Sequence, residues 1–117
     1  MEDIDEKPYR VDRMLFHLRR AGKFREVRGI VFGEMVGCAQ ASQPADDLRP
    51  LILEALEGLD VPVVFGLHFG HTTGGCLTLP LGVRARITAG EKVKLALLES
   101  AVSAPAKSPL TKKRAKP

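Results

Sequence analysis

The fold is decided by residues 61–82, which read VPVVFGLHFGHTTGGCLTLPLG. The first five of these residues form an apolar run with the length and composition of a buried strand. A glycine-rich loop follows, and then residues 77–79 predict another short strand. The loop between the two holds His71, and flanking glycines leave its imidazole uncovered at the end of a strand.

Two amphipathic patterns elsewhere predict helices. Apolar side chains recur at helical spacing over residues 9–21, where Pro8 suits a helix start and Gly22 a helix end. A second helix is expected from a cap at Asp46 or Asp47 to about residue 59.

Three further strands are expected around these helices. Residues 27–32 read as a buried strand ended by Gly33. Residues 83–87 and 93–97 read as an antiparallel hairpin with one solvent-facing side, closed by a turn at residues 89–91. The order α-β-α-β-β-β-β predicts a compact α/β unit whose strands run in more than one direction.

Length and charge point to one domain with a basic end. The chain has 117 residues, 44% of them apolar, and a formal charge of +4. Residues 101–117 carry five basic residues and no acid, which leaves 13 basic against 14 acidic residues in residues 1–100. We expect a near-neutral domain at residues 1–99 and a disordered basic Ala/Pro/Lys tail at 100–117. Nucleic-acid binding through the tail is the least favoured function.

Cysteine usage and hydropathy favour a cytoplasmic protein. Cys38 and Cys76 lack metal-binding spacing, so we expect reduced thiols rather than a disulfide or a zinc site. No apolar run is long enough to span a bilayer, and the acidic start is unlike a signal peptide. The loop glycines lack the Gly-Lys-Ser/Thr of a phosphate loop, so no cofactor is predicted. Because the apolar runs are short, no membrane partner is predicted either.

His71 is the strongest candidate for chemistry. A neutral imidazole exposed at a strand end can act as a general base, although a loop histidine that only fixes a turn has the same pattern. His68 would suggest a metal pair, but no third ligand lies at close spacing. None of the serines is placed as a nucleophile, because they lie in linker-like or tail sequence: Ser42, Ser100, Ser103 and Ser108.

An acidic cluster at residues 2–6 could supply the carboxylate that orients this histidine. Spacing alone leaves open which acid would do so. Acids ahead of a helix also favour its positive end without any other role.

Four segments, in order, resemble one family. They are residues 2–15 (EDIDEKPYRVDRML), 28–34 (RGIVFGE), 62–71 (PVVFGLHFGH) and 77–85 (LTLPLGVRA). Together they are similar to the C-terminal domain of LD-carboxypeptidases, which include murein tetrapeptide carboxypeptidases and microcin-immunity peptidases. The resemblance covers residues 1 to about 99 and implies a compact mixed-sheet, swivelling-type β/α domain with two helices.

The resemblance also implies an activity. Family members are serine peptidases with a Ser-Glu-His triad that remove the terminal D-alanine from muropeptides in cell-wall recycling. Carried onto this sequence, His71 matches the general base and Glu2 the orienting carboxylate, with Asp3 and Glu6 as less favoured alternatives. His68 stands where the family commonly has proline.

In that family the serine belongs to an N-terminal α/β domain, which this sequence lacks. We therefore expect the chain to be inactive alone and to need a serine-bearing domain in cis or in trans, with a muropeptide or another peptide as substrate. A non-catalytic remnant or binding module of the same fold is the alternative. An apolar patch near Glu2 and His71 is expected where the serine domain would pack, and a homodimer is a further option.

Overall fold

The computed structural model describes residues 1–38 and 48–103. Its helices and strands are α1 (Pro8–Arg20), β1 (Ile30–Val31), α2 (Leu48–Ala55), β2 (Val63–Val64), β3 (Ala85–Thr88) and β4 (Lys94–Leu97). β1 pairs in parallel with β2, and β3 pairs antiparallel with β4. The described residues thus form a small mixed α/β domain with two helices, as the sequence predicts, and their four strands lie in two separate two-stranded sheets.

Helix α1 begins at the predicted proline. Pro8 occupies the first helical turn, where its missing N–H costs no hydrogen bond, and Lys7 precedes it in an extended conformation without a side-chain cap. The helix buries Val11 and Leu15. Near its end the guanidinium of Arg19 donates to the carbonyl oxygen of Ala55 at 3.0 Å, which satisfies an orphan acceptor at the end of α2.

Helix α2 ends earlier than the sequence predicts. It stops at Ala55, and residues 56–58 form a turn that closes at Gly58 with φ +81°. Glycine takes this left-handed conformation at little cost, so the chain leaves the helix although its apolar spacing continues. The expected cap at Asp46 or Asp47 lies outside the described residues.

The core lies between the two helices and the parallel strands. The rings of Phe32 and Phe65 stack with their centroids 5.2 Å apart. Among the described residues, nine buried side chains form one cluster, to which both helices and β1 contribute: Val11, Leu15, Phe24, Ile30, Phe32, Cys38, Leu48, Ile52 and Leu56.

The predicted hairpin forms, but the strand predicted at residues 77–79 does not. The N–H of Leu77 donates to the carbonyl of His68 at 2.7 Å, and no ladder continues from it within the described residues. Pro80 follows directly and has no N–H to donate, which ends any pairing. The prediction was wrong because it rested on an apolar alternation alone, and a strand also needs a partner strand to pair with.

Met1 lies alongside β1 on the edge opposite β2. Its amine donates to the carbonyl of Val31 at 2.6 Å, and the N–H of Gly33 donates to its carbonyl at 2.9 Å. Ile30 and Phe32 donate instead to the β2 side, because successive residues of a strand bond in opposite directions. This pairing sets Glu2 at the end of β1.

Candidate active site

The candidate site lies where the parallel strands end. Because β1 and β2 run in the same direction, their carboxyl ends meet at one edge of the sheet. Beyond β2, the N–H of Leu67 donates to the carbonyl of Phe32 at 3.2 Å, so the pairing continues towards the histidine loop, residues 68–73. Glu2 and Glu34 therefore reach this loop from beside β1.

Glu2 contacts His71 twice, although 69 residues separate them. Its Oε2 accepts the backbone N–H of His71 at 3.0 Å and lies 3.1 Å from the ring Nδ1. A carboxylate at this position favours the tautomer with the proton on Nδ1, which leaves Nε2 as an acceptor. Within residues 1–38 and 48–103 no group bonds Nε2, and the His71 side chain is 56% exposed. The ring is therefore oriented at one nitrogen and open at the other.

Two glycines make room for this contact. A Cβ at Gly33 would lie 2.8 Å from the Cβ of Glu2 and 3.3 Å from the carbonyl of Phe69. A Cβ at Gly70 would lie 2.6 Å from the Cγ of Glu2, and the φ of Gly70 is +71°. Both positions let the carboxylate lie directly against the backbone that carries His71.

The hydrogen bonds from His71 also set the charge of Glu2. The backbone N–H of His71 is the main cause, and its ring the next, of a Glu2 pKa below the ordinary value of 4.5. Burial lowers the pKa of the neighbouring Met1 amine from 8.0. Glu2 is therefore ionised at neutral pH, as an orienting carboxylate must be.

The alternative acids have other partners. Asp3 accepts the N–H of Ile4 at 2.9 Å, and Glu6 lies 3.5 Å from the guanidinium of Arg10. The first turn of α1 itself contains no acid, and the acids of the cluster lie ahead of it. Of the three candidates, the structure brings Glu2 to His71.

Sequence reasoning did not single out Glu34. Its Oε2 accepts the N–H of Thr73 at 2.6 Å, both its oxygens lie 3.2 Å from the Thr73 hydroxyl, and its Oε1 lies 3.3 Å from Nε2 of His68. The signal that could have found it is its place directly after β1, beside the loop that follows β2.

A further reactive group lies at this edge, because the Sγ of Cys76 donates to the carbonyl oxygen of Gly70, next to His71, at 3.7 Å. Nowhere in residues 1–38 and 48–103 do three or more histidines, cysteines and carboxylates converge as a metal site. Ser100 donates to the carbonyl of Val102 at 2.8 Å. Cys38 is a buried free thiol and Cys76 an exposed one. None of the helices in this part of the chain could cross a membrane.

Apolar surface lies next to Glu2. Met1, Ile4 and Met14 are 37–40% exposed. A cavity of about 120 Å³ opens between the N-terminal segment and α1, with Glu2 and Phe32 among its lining residues. An apolar patch was expected near Glu2 and His71, and these residues supply the part beside Glu2.

Comparison with known proteins identifies a family. Residues 1–87 match the family model of the LD-carboxypeptidase C-terminal domain. A Streptomyces coelicolor protein named as a carboxypeptidase is 43% identical over 89 residues, which cover 76% of this chain and 27% of that protein. A Bacillus subtilis protein named as a murein peptide carboxypeptidase is 30% identical over 104 residues, which cover 88% of this chain and 32% of that protein.

A solved structure gives the same result. The crystal structure of muramoyltetrapeptide carboxypeptidase from Oxalobacter formigenes superposes with a TM-score of 0.68 at 35% identity, covering 82% of this chain and 34% of that one. The chain thus spans about a third or less of the length of the relatives it matches. It belongs to the LD-carboxypeptidase family, as a C-terminal domain of that family.

Proposed function

We propose that this chain supplies the general base, His71, and its orienting carboxylate, Glu2, to a serine LD-carboxypeptidase that removes the terminal D-alanine from muropeptides. The observation that carries the proposal is the double contact of one Glu2 oxygen with the backbone and ring of His71. The names of the relatives, a murein peptide carboxypeptidase and a muramoyltetrapeptide carboxypeptidase, support the substrate class.

The contacts support a separate role for Glu2 and for His71. Glu2 keeps the proton on Nδ1 of His71, so Nε2 can take the proton of a serine hydroxyl as that hydroxyl attacks the peptide carbonyl. The imidazolium formed faces an ionised carboxylate, and it then protonates the leaving amine of D-alanine. The serine would come from an N-terminal domain in cis or in trans, and the protein would act in the cytoplasm, where muropeptides are recycled.

A chimera tests this function. Residues 1–117 replace the matching C-terminal part of the Streptomyces coelicolor relative, and D-alanine released from a muramoyl tetrapeptide is quantified, with the intact relative as positive control. We expect release by the chimera and none by the 117-residue chain alone. His71→Ala and Glu2→Gln should lower kcat by roughly 10²–10⁴-fold, whereas His17→Gln on α1 should leave it unchanged.

Two results would count against the proposal. One is a folded chimera that releases no D-alanine while the intact relative does. If that chimera still binds the tetrapeptide, the chain is a binding module of the same fold. The other is full activity in the His71→Ala chimera.

A further inference from the structure

Building on the proposed function, we propose that Glu34 is a positioning residue: a second carboxylate that fixes the histidine loop so that His71 presents its ring to Glu2. Glu34 contacts Thr73 and His68 rather than the imidazole of His71. Its effect would pass through the loop backbone on both sides of that histidine.

The contacts of Glu34 hold the loop at both ends. At the far end its carboxylate accepts the N–H of Thr73 at 2.6 Å, two residues beyond His71. At the near end Oε1 lies 3.3 Å from Nε2 of His68, three residues before His71. The Glu34 side chain is only 18% exposed, which strengthens these charge-assisted contacts relative to those of a fully solvated carboxylate.

The loop needs such a restraint because its own sequence supplies little. Gly70 precedes His71 with a left-handed φ, and Gly74 and Gly75 follow Thr73, so the backbone has wide conformational freedom to lose. Glu2 holds the centre of the loop from one side. Glu34 holds its flanks from the end of β1. Two carboxylates from separate segments therefore fix one imidazole.

The test is NMR of the full 117-residue chain, which reads the ring ¹⁵N shifts of His71 and the hydrogen exchange of the Thr73 amide. In Glu34→Ala we expect Thr73 exchange at least tenfold faster, and the separation between the Nδ1 and Nε2 shifts reduced by more than half. Glu34→Gln keeps an acceptor for the Thr73 N–H and should restore most of both signals.

A matched control is available on the hairpin. Glu99 also accepts one backbone N–H and one side-chain donor, both from Arg84, at 2.7 and 2.9 Å. Glu99→Ala should leave Thr73 exchange and the His71 shifts as in the unchanged chain. Core amides such as that of Ile52 report whether each variant is folded.

The proposal is overturned if Glu34→Ala stays folded with unchanged His71 shifts, even where its melting temperature falls, because the role would then be structural only. It is also overturned if Glu34→Gln reduces the separation of the His71 ring shifts as much as Glu34→Ala does. Failure of the proposed function gives a different result. In that case Glu2→Gln leaves the His71 ring shifts unchanged, whatever the Glu34 variants do.

Discussion

At the scale of single residues, the site depends on how closely one carboxylate approaches the backbone. Glu2 lies against Gly33 and Gly70, where any side chain would occupy its space. This approach lets one oxygen bond both the N–H and the ring of His71. The geometry of the pair is therefore set by glycines as much as by the two functional side chains.

Replacing Gly70 by alanine should separate the pair. The left-handed φ costs a residue with a Cβ about 1–2 kcal/mol, and the new methyl would meet the Cγ and Cδ of Glu2. We expect Gly70→Ala to raise the Glu2 pKa towards 4.5 and to abolish D-alanine release by the chimera. Gly75→Ala in the same segment has nothing within 4 Å of its added Cβ. It should change neither the Glu2 pKa nor the release of D-alanine. Equal Glu2 pKa values and equal D-alanine release in the two variants would contradict a close approach of Glu2 to Gly70.

The Glu2 carboxylate should titrate below 4.5, because the His71 N–H and ring stabilise its ionised form. In the pH range between the folded and unfolded pKa values the unfolded chain binds more protons. The stability that this contact contributes is therefore present above about pH 4.5 and is lost as pH falls through the folded pKa. A carboxyl ¹³C titration of Glu2 measures the midpoint. A midpoint at or above 4.5 would show that the contact with His71 does not persist in solution.

At the scale of elements, a parallel pair of two-residue strands places the whole site. β1 brings Glu34 and aligns Met1, which sets Glu2, while β2 leads into the histidine loop. The helices contribute by holding this small sheet in position. Leu15 of α1 and Ile52 of α2 are both almost fully buried in the cluster that includes β1.

Truncating Ile52 should therefore destabilise the domain. Its side chain is fully buried, and Ile→Ala changes at such positions cost about 2–5 kcal/mol. The neighbouring Leu53 is 51% exposed, so Leu53→Ala should lower the free energy of unfolding by no more than about 0.5 kcal/mol. Urea unfolding of both variants measures the difference. Similar losses would mean that α2 does not pack on the core as described.

The sequence predicts some of the helices and strands correctly and misses the bounds of others. Periodicity predicts α1 to within one residue at each end, and alternation predicts the β3–β4 hairpin. Both depend on local patterns. The end of α2 was predicted too late because its apolar spacing continues past Gly58, although that glycine is a local stop signal. The missing strand at residues 77–79 depends on the absence of a pairing partner, which local patterns do not encode.

The sequence likewise predicts some residues of the candidate site and misses another. Family motifs single out Glu2 and His71, but spacing alone leaves the acids near the N-terminus equivalent. Glu34 was missed because its contacts with His68 and Thr73 arise only when β1 and β2 pair. Contacts made across parallel strands connect residues far apart in sequence, so no window along the chain contains them.

At the scale of the whole molecule, the chain is a near-neutral domain followed by a basic segment. We propose that residues 100–117 are a tail without a role in folding. Removing residues 104–117 takes away Lys107, Lys112, Lys113, Arg114 and Lys116. We expect the free energy of unfolding to change by less than about 0.5 kcal/mol, and any affinity for DNA to be salt-sensitive and to vanish with the tail.

Thermal unfolding and a DNA titration at two salt concentrations check this prediction. A large loss of stability would place the tail in the fold. Undiminished DNA binding by the shortened chain would place a nucleic-acid site on the domain itself, which carries nearly equal numbers of basic and acidic residues.

We expect Glu2 to hold His71 in the tautomer that leaves Nε2 free to accept a proton. The ring ¹⁵N shifts of His71, measured near neutral pH in the unchanged chain and in Glu2→Gln, test it most directly. We expect a protonated Nδ1 and a bare Nε2 in the unchanged chain, and a loss of that preference in Glu2→Gln. A bare Nδ1, or the same shifts in both chains, would contradict it.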